Sequence, residues 1–422
     1  MPVVVVVALL GCVIGVPFAF ALILAAVPAL SSLGLPDYIV PQRMFLQMSS
    51  VSFLAIPFFV ITGDALARSG MAMRLVRICT ALVGHLRGGL AQSGVLFSGG
   101  LAAVSGSGVA NAATVAKILA PEMKKEGYRP AFTSAMIAAG AILGPLLPPS
   151  VVLVIYAGMT GLSVSSLFLA GVVPGLFLMA CFMAVVAWKC RGMTDNLRER
   201  APLREVGQAL VKAAWALLAP AIIIGGILTG FFTATEAGAV AAVYVVAVWA
   251  LVYRTMTWRD LRDLLHEAGI TSAVVMLIVA AATVFAWMLG FTSFPRQLES
   301  FLGGLPAPVL ITFVCAAILM VLGCVMDDLA AGIVLVPIIH PIAVSAGLDP
   351  LQFALVISMA IIVGGITPPV GIYLFITARA TGVTLWQSAR DSLPFLLVAL
   401  GVLVVAIVWS PLTTWLPGVA GP

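Results

Sequence analysis

Ser105, Ser107, Asn111 and Thr114 fall within ten residues of one another in Ala103-Val104-Ser105-Gly106-Ser107-Gly108-Val109-Ala110-Asn111-Ala112-Ala113-Thr114, interleaved with glycines and flanked by long apolar stretches. Their uncharged oxygens, beside glycines that let carbonyls approach closely, form a donor set for a small hard cation such as sodium. A second segment, Gly144-Pro145-Leu146-Leu147-Pro148-Pro149-Ser150, adds carbonyls, because Pro148 and Pro149 have no amide hydrogen to pair with them. Counterparts of both follow as Gly323-Cys324-Val325-Met326-Asp327-Asp328 and Gly364-Gly365-Ile366-Thr367-Pro368-Pro369-Val370. The first sodium site predicted from these segments takes Ser105, Gly106, Ser107, Asn111, Gly144, Leu147 and Ser150. The second takes Gly323, Asp327, Gly364, Thr367 and Val370. Helix N-termini at such breaks attract an anion, which places Ser107, Asn111, Pro149, Thr367 and Pro368 against a negatively charged substrate.

These segments must be held by elements that repeat. Gly364 follows Gly144 by 220 positions, and the same interval separates Ala120-Pro121 from His340-Pro341 and Gly127-Tyr128-Arg129-Pro130 from Gly347-Leu348-Asp349-Pro350. Chance rarely keeps one interval through three motifs. Repeated halves with Gly/Pro-interrupted apolar segments at matching places point to a secondary transporter whose binding site lies at the breaks. Under the interval Ser150 answers Val370, Leu147 answers Thr367 and Ser107 answers Asp327. The two sites are therefore not equivalent.

Over 422 residues, 62% are hydrophobic and only 9% charged, too few polar groups to cover a water-facing surface of that size. The partner of such a chain is the lipid bilayer. The net charge of +5 comes from Lys and Arg gathered between apolar stretches, as in cytoplasmic loops. No basic helix or aromatic platform accompanies them, which argues against nucleic acid. The six cysteines have no metal or redox spacing. His85, His266 and His340 are isolated from one another, so neither a zinc site nor a Cys/His nucleophile is indicated. No cofactor and no enzymatic activity are expected; sodium is the only metal.

A spanning helix needs about 20 apolar residues, and 3–30, 50–68, 162–188, 213–231, 235–252, 270–290 and 392–410 qualify. The first of these lacks the positive start of a signal peptide. Regions 88–120 and 307–340 are punctuated midway by small polar residues or acids and read as re-entrant hairpins. Regions 131–157 and 351–377 carry Pro-Pro in mid-membrane and must unwind there. Lys189, Arg191, Arg198, Arg200, Arg204 and Lys212, with Arg254, Arg259 and Arg262, place both their loops in the cytoplasm. Tracing outward from them, the two hairpins open from opposite faces. The span at 213–231 has no counterpart in the first half and supplies the extra crossing that inverts the second. The predicted fold is an all-α polytopic membrane protein with inverted repeats, two re-entrant hairpins and two discontinuous helices. Its parts are 1–205 (first repeat), 206–232 (connecting span) and 233–422 (second repeat).

Other roles compete for the same residues. Ser/Gly clusters also allow tight helix packing, the role expected of Gly171 and Gly175. Asp327 or Asp328 equally suits the cap of the helix that follows, although an acid inside a membrane is a functional candidate by default. Glu236, in Thr233-Ala234-Thr235-Glu236, reads as a helix start. Proteolysis by Asp327 and Asp328 would need carboxylates facing one another, and adjacent helical residues project about 100° apart.

Ser105 to Thr114, Gly144 to Tyr156 (GPLLPPSVVLVIY), Leu169 to Gly175 (LAGVVPG), Gly230 to Ala237 (GFFTATEA) and Gly364 to Gly371 (GGITPPVG) resemble the large membrane subunit, the DctM type, of tripartite ATP-independent periplasmic (TRAP) transporters. The resemblance runs over nearly the whole chain. It implies the ion-transporter superfamily fold, an elevator-type motion of the domain bearing both hairpins, and sodium coupling in a bacterial or archaeal inner membrane. It implies two partners: a small four-helix membrane subunit (DctQ type) and a periplasmic substrate-binding protein (DctP type). Substrates of such systems are organic acids, C4-dicarboxylates among them. Ala234 stands where the family commonly has Pro, and Gly108 and Asn111 depart from a frequent second Ser or Asp. A standalone sodium/organic-anion symporter of the same superfamily is the alternative, and co-purification of a small four-helix protein separates the two.

Overall fold

The computed structural model describes residues 16–32, 34–36, 38–49, 51–192, 200–291, 297, 300 and 307–420, and these are helical with short connections. The start of the predicted 3–30 span lies outside them. Four helices, α1 (Phe18–Ser32), α2 (Ile39–Met48), α3 (Ala55–Arg68) and α4 (Met71–Val83), lead to a hairpin of α5 (Gly89–Ser105) and α6 (Gly108–Lys125). An interrupted helix follows as α7 (Pro130–Ala141), the single turn α8 (Leu143–Leu146) and α9 (Val151–Thr160), and then α10 (Val164–Lys189). Next come α11 (Leu203–Leu228), α12 (Ala234–Ala247) and α13 (Trp258–Gly290). The second hairpin is α14 (Pro308–Val325) and α15 (Asp328–Ser345), the second interrupted helix α16 (Pro350–Gly364) and α17 (Ile372–Thr381), followed by α18 (Leu385–Val408) and α19 (Pro411–Ala420). Among the described residues eight stretches are long and apolar enough to cross a bilayer. The chain is a multi-pass membrane protein.

The interval of 220 holds for whole helices: α5 and α14 end at Ser105 and Val325, α6 and α15 begin at Gly108 and Asp328, and α7 and α16 begin at Pro130 and Pro350. Cis peptides at Pro148-Pro149 and Pro368-Pro369 keep the same interval. Beyond the breaks it becomes 221, since α9 begins at Val151 and α17 at Ile372, and their C-caps are Gly161 and Gly382. One added residue in the second break changes the pairing read from sequence. The N-cap of α9 is Ser150, whereas that of α17 is Gly371, not Val370. With φ at 51°, Gly371 takes a conformation a side chain would oppose.

Each hairpin packs on its own interrupted helix, α5 and α6 on α7, and α14 and α15 on α16. The far limbs cross over: α17 lies on α6 and α7 of the first half, and α9 on α15 of the second. Along Pro130–Thr160 the most apolar window is wholly buried, which places the first break at the centre of the fold. Outside this core α3 packs on α12, α4 on α11, and α13 on α1, α2 and α3.

Two departures from the sequence reading have simple causes. Helix α4 is amphipathic, burying Met71, Ala72, Leu75, Val76, Ile78 and Cys79 while Arg74 and Arg77 lie off that stripe, so a search for long apolar runs passes over it. Helices α11 and α13 begin at Leu203 and Trp258, well before 213 and 270, because their polar first turns continue the helix past the apolar stretch. Glu236 does start a helix. Thr233 and Glu236 form the reciprocal capping box of α12.

Glycines set the hairpin-to-break distance. A Cβ on Gly364 would lie 2.5 Å from the Met320 carbonyl oxygen and 2.8 Å from the Cys324 amide nitrogen, whereas one on Gly401 meets open space. Gly364→Ala should therefore destabilise by about 1–3 kcal/mol through overpacking. Gly401→Ala, in mid-helix, should be neutral or stabilise by about 0.5–1 kcal/mol. Thermal unfolding of the two variants in detergent checks this, and equal midpoints would remove the close-approach argument.

Candidate functional site

The first hairpin turns on two residues. Gly106 ends α5 at φ 60°, and the extended Ser107 caps α6, its Oγ accepting the Ala110 amide at 3.4 Å. The tip rests on the first break: the Val151 amide donates to the Gly106 carbonyl at 3.2 Å. Space at this contact is so tight that a Cβ on Gly106 would sit 2.5 Å from the Pro149 carbonyl oxygen, and one on Gly144 2.8 Å from that of Ser107. Gly106, Ser107, Gly144, Pro149 and Ser150 are thus brought together. Ser150 accepts the Leu153 amide at 3.2 Å and donates to the Pro145 carbonyl, the group that an amide at position 149 would serve in a continuous helix. The N-termini of α6 and α9 both start here, so the junction carries positive potential from two helix dipoles.

The remaining residues predicted for this site are placed differently. Ser105 is buried with its Oγ unpartnered among the described residues, and its Cα lies against Gly63 of α3. Asn111 is fully buried and donates from Nδ2 to the Ser98 carbonyl at 3.0 Å, tying the hairpin limbs together, while its Oδ1 has no partner among the described residues. That leaves one amide oxygen available for a ligand. The Leu147 side chain packs on Gly175 of α10, so only its backbone can serve an ion.

The second junction is built on the same plan with different chemistry. Its tip is Met326 and Asp327, both extended, and the Gly371 amide donates to the Cys324 carbonyl at 3.0 Å. The Cys324 thiol donates to the Thr367 carbonyl at 2.9 Å, and the Thr367 hydroxyl donates to the Val363 carbonyl at 2.9 Å, keeping its lone pairs free. Gly323, Gly364 and Thr367 meet here. The carbonyls freed by the proline pair find partners inside the break, Gly364 from the Thr367 amide at 2.8 Å and Gly365 from the Tyr373 amide at 3.0 Å. Asp327 caps α15 by accepting the Leu329 amide at 3.3 Å and makes no hydrogen bond to the break. Pro368 is half-buried, and Pro369 and Val370 are exposed, whereas Pro148, Pro149 and Ser150 are all buried. The first break is sealed; the second opens to its surroundings.

Sequence reasoning missed the residue that joins the two junctions. Tyr373 is fully buried, and its hydroxyl donates to Asp328 Oδ2 at 2.9 Å. Its ring also lies against Gly108, where any Cβ would overlap it. One side chain therefore touches the tips of both hairpins. Its counterpart across the interval of 221 is Val152, so comparing the halves gave no hint of it. The reverse crossover carries its own polar contact, between the Tyr156 hydroxyl and His340 Nδ1 at 3.0 Å. Asp64, beside Gly63 on α3, was also passed over, although an acid in an apolar span was legible.

Two hairpins, each resting on an interrupted helix of a duplicated, all-helical chain, define a secondary transporter fold. The solved YdaH transporter of Alcanivorax borkumensis has this fold, with a TM-score of 0.61 over 87% of each chain at 14% identity. The chain belongs to the DctM family: residues 3–412 match the DctM component of the tripartite ATP-independent periplasmic transporter. It is 36% identical over 399 residues to the 2,3-diketo-L-gulonate TRAP transporter large permease protein YiaN of Escherichia coli (strain K12), covering 94% of both chains. It is 38% identical over 379 residues to the C4-dicarboxylate TRAP transporter large permease protein DctM of Pseudomonas aeruginosa, covering 90% of this chain and 87% of the other. With the sialic acid TRAP transporter large permease protein SiaM of Vibrio cholerae it shares 33% over 407 residues, 96% of this chain and 95% of the other.

If the Tyr373–Asp328 contact holds the hairpins together, Tyr373→Phe should cost about 1–3 kcal/mol, the penalty for leaving a buried acceptor unsatisfied. A double-mutant cycle with Asp328→Ala, read by unfolding, should return a coupling of about 1 kcal/mol or more. Strict additivity would mean the contact contributes nothing.

Proposed function

We propose that this chain is the large permease subunit of a tripartite transporter that imports an organic acid across the bacterial or archaeal inner membrane, driven by sodium. The observation that carries this reading is the pair of tip-to-break junctions at the interval of 220. Each gathers backbone oxygens and helix N-termini at a point that only duplicated, interrupted helices provide. The first junction offers the oxygens of Ser105, Ser107 and Asn111 with the break at Gly144 to Ser150, and the second offers Thr367 with Gly323 and Gly364. The anion lies between them, near Ser107, Asn111, Pro149, Thr367 and Pro368, within reach of the positive helix ends. The named substrates of the relatives support an acid: diketogulonate, C4-dicarboxylate and sialic acid.

In this reading residues 1–205 and 233–422 are inverted repeats joined by 206–232, and the domain bearing both hairpins moves as an elevator against the outer helices. A small membrane subunit and a periplasmic binding protein complete the system, and the chain itself catalyses no reaction. With two or more sodium ions per substrate, each net charge moved inward adds about 2.3 kcal/mol per 100 mV of membrane potential.

Uptake in proteoliposomes holding the three components should require a sodium gradient, and uptake unchanged in its absence would sink the coupling. Thr367→Val should lower the initial rate about tenfold, for loss of an interaction worth about 1.4 kcal/mol. Its unfolding midpoint should stay close to that of the parent, because the hydroxyl bonds only within its own turn. Parental uptake by this variant would remove Thr367 from the site.

A further inference from the structure

Away from both junctions, a cavity of about 1080 Å³ opens between α4, the last turns of α6 and the first turns of α11. The part of α6 that lines it begins at Ile118, roughly 15 Å along the helix from the tip. It lies apart from the substrate site proposed above. Four cations line it, Arg74 and Arg77 on α4, Arg200 just before α11, and Lys212. Among the described residues none of the four is in an ion pair, as the salt bridges there use Arg68, Lys125, Arg129 and Arg259. The Arg74 guanidinium lies 3.8 Å over the Tyr253 ring, a contact that orients it without cancelling its charge. Of the three glutamates among the described lining residues, Glu122 holds Lys125 at 2.7 Å and Glu126 has a partner of its own, which leaves Glu205 among them against the four cations.

The lining also carries the apolar Met73, Val76, Leu90, Ile118 and Leu119. A carboxylate metabolite has no use for such a surface. A molecule carrying both phosphate and hydrocarbon does. The Lys and Arg of the neighbouring loops mark this face as cytoplasmic, and anionic lipids of that leaflet seek basic pockets between membrane helices. We propose that this cavity binds the phosphate headgroup of an anionic glycerophospholipid from the cytoplasmic leaflet, held by Arg74, Arg77, Arg200 and Lys212. The lipid then sits where the outer helices α4 and α11 meet the first hairpin.

The test titrates the delipidated full chain in detergent with cardiolipin, phosphatidylcholine or inorganic phosphate, reading lipid adducts by native mass spectrometry and the unfolding midpoint. Cardiolipin should bind and raise the midpoint, phosphatidylcholine should not, and millimolar phosphate should not displace the lipid. Arg200→Gln and Lys212→Gln are exposed changes that spare the core. Each should weaken cardiolipin about fivefold, and the pair about 25-fold, at about 1 kcal/mol per cation. Unchanged affinity in the double variant overturns the proposal. So does phosphate binding as tightly as lipid, which makes this a soluble-anion site, and so does loss of lipid binding on co-expression of a small membrane subunit, which makes it a protein interface.

Discussion

A membrane helix that breaks in mid-bilayer leaves backbone groups that water cannot reach, and each costs several kcal/mol until something satisfies it. In this chain the breaks satisfy one another. The Val151 amide at the first break serves Gly106 at the first tip, and the Gly371 amide at the second serves Cys324 at the second. Hairpin and interrupted helix are therefore obligate partners within each half. The glycines at 106, 144, 323 and 364 follow from that constraint, since a methyl group at any of them would push the two backbones apart.

The same solution was reached twice with different parts. At the first junction Ser150 takes the Pro145 carbonyl, and the surrounding break is buried. At the second, amides of Thr367 and Tyr373 take the carbonyls of Gly364 and Gly365, a thiol takes that of Thr367, and the added residue at Gly371 accompanies an exposed Pro369 and Val370. The two junctions of a duplicated chain are thus asymmetric, one buried and the other partly exposed.

Crossing limbs bind the halves into one unit. Because α17 lies on α6 and α9 on α15, each hairpin packs against part of the other half. Tyr373, touching Gly108 and bonded to Asp328, spans the two halves with a single side chain. The helices outside, α3, α4 and α11 to α13, touch this unit along other faces, among them Gly63 against Ser105 and the basic cavity beside α6.

Composition placed the chain in a membrane, and the interval of 220 located both hairpins and both breaks, because proline and glycine mark interrupted helices wherever they recur. That much is local chemistry, written in residue types and spacing. The sequence could not show that Asn111 ties two limbs together, that Asp327 caps a helix while Asp328 meets Tyr373, or that Gly371 rather than Val370 answers Ser150. It also passed over α4, whose amphipathic stripe is too short for a span. Asn111 and Ser98 are 13 positions apart and Tyr373 and Asp328 45, so which side chain lies opposite which depends on how the limbs pack. Partners across such distances leave no periodicity along the chain, so only the folded arrangement decides them.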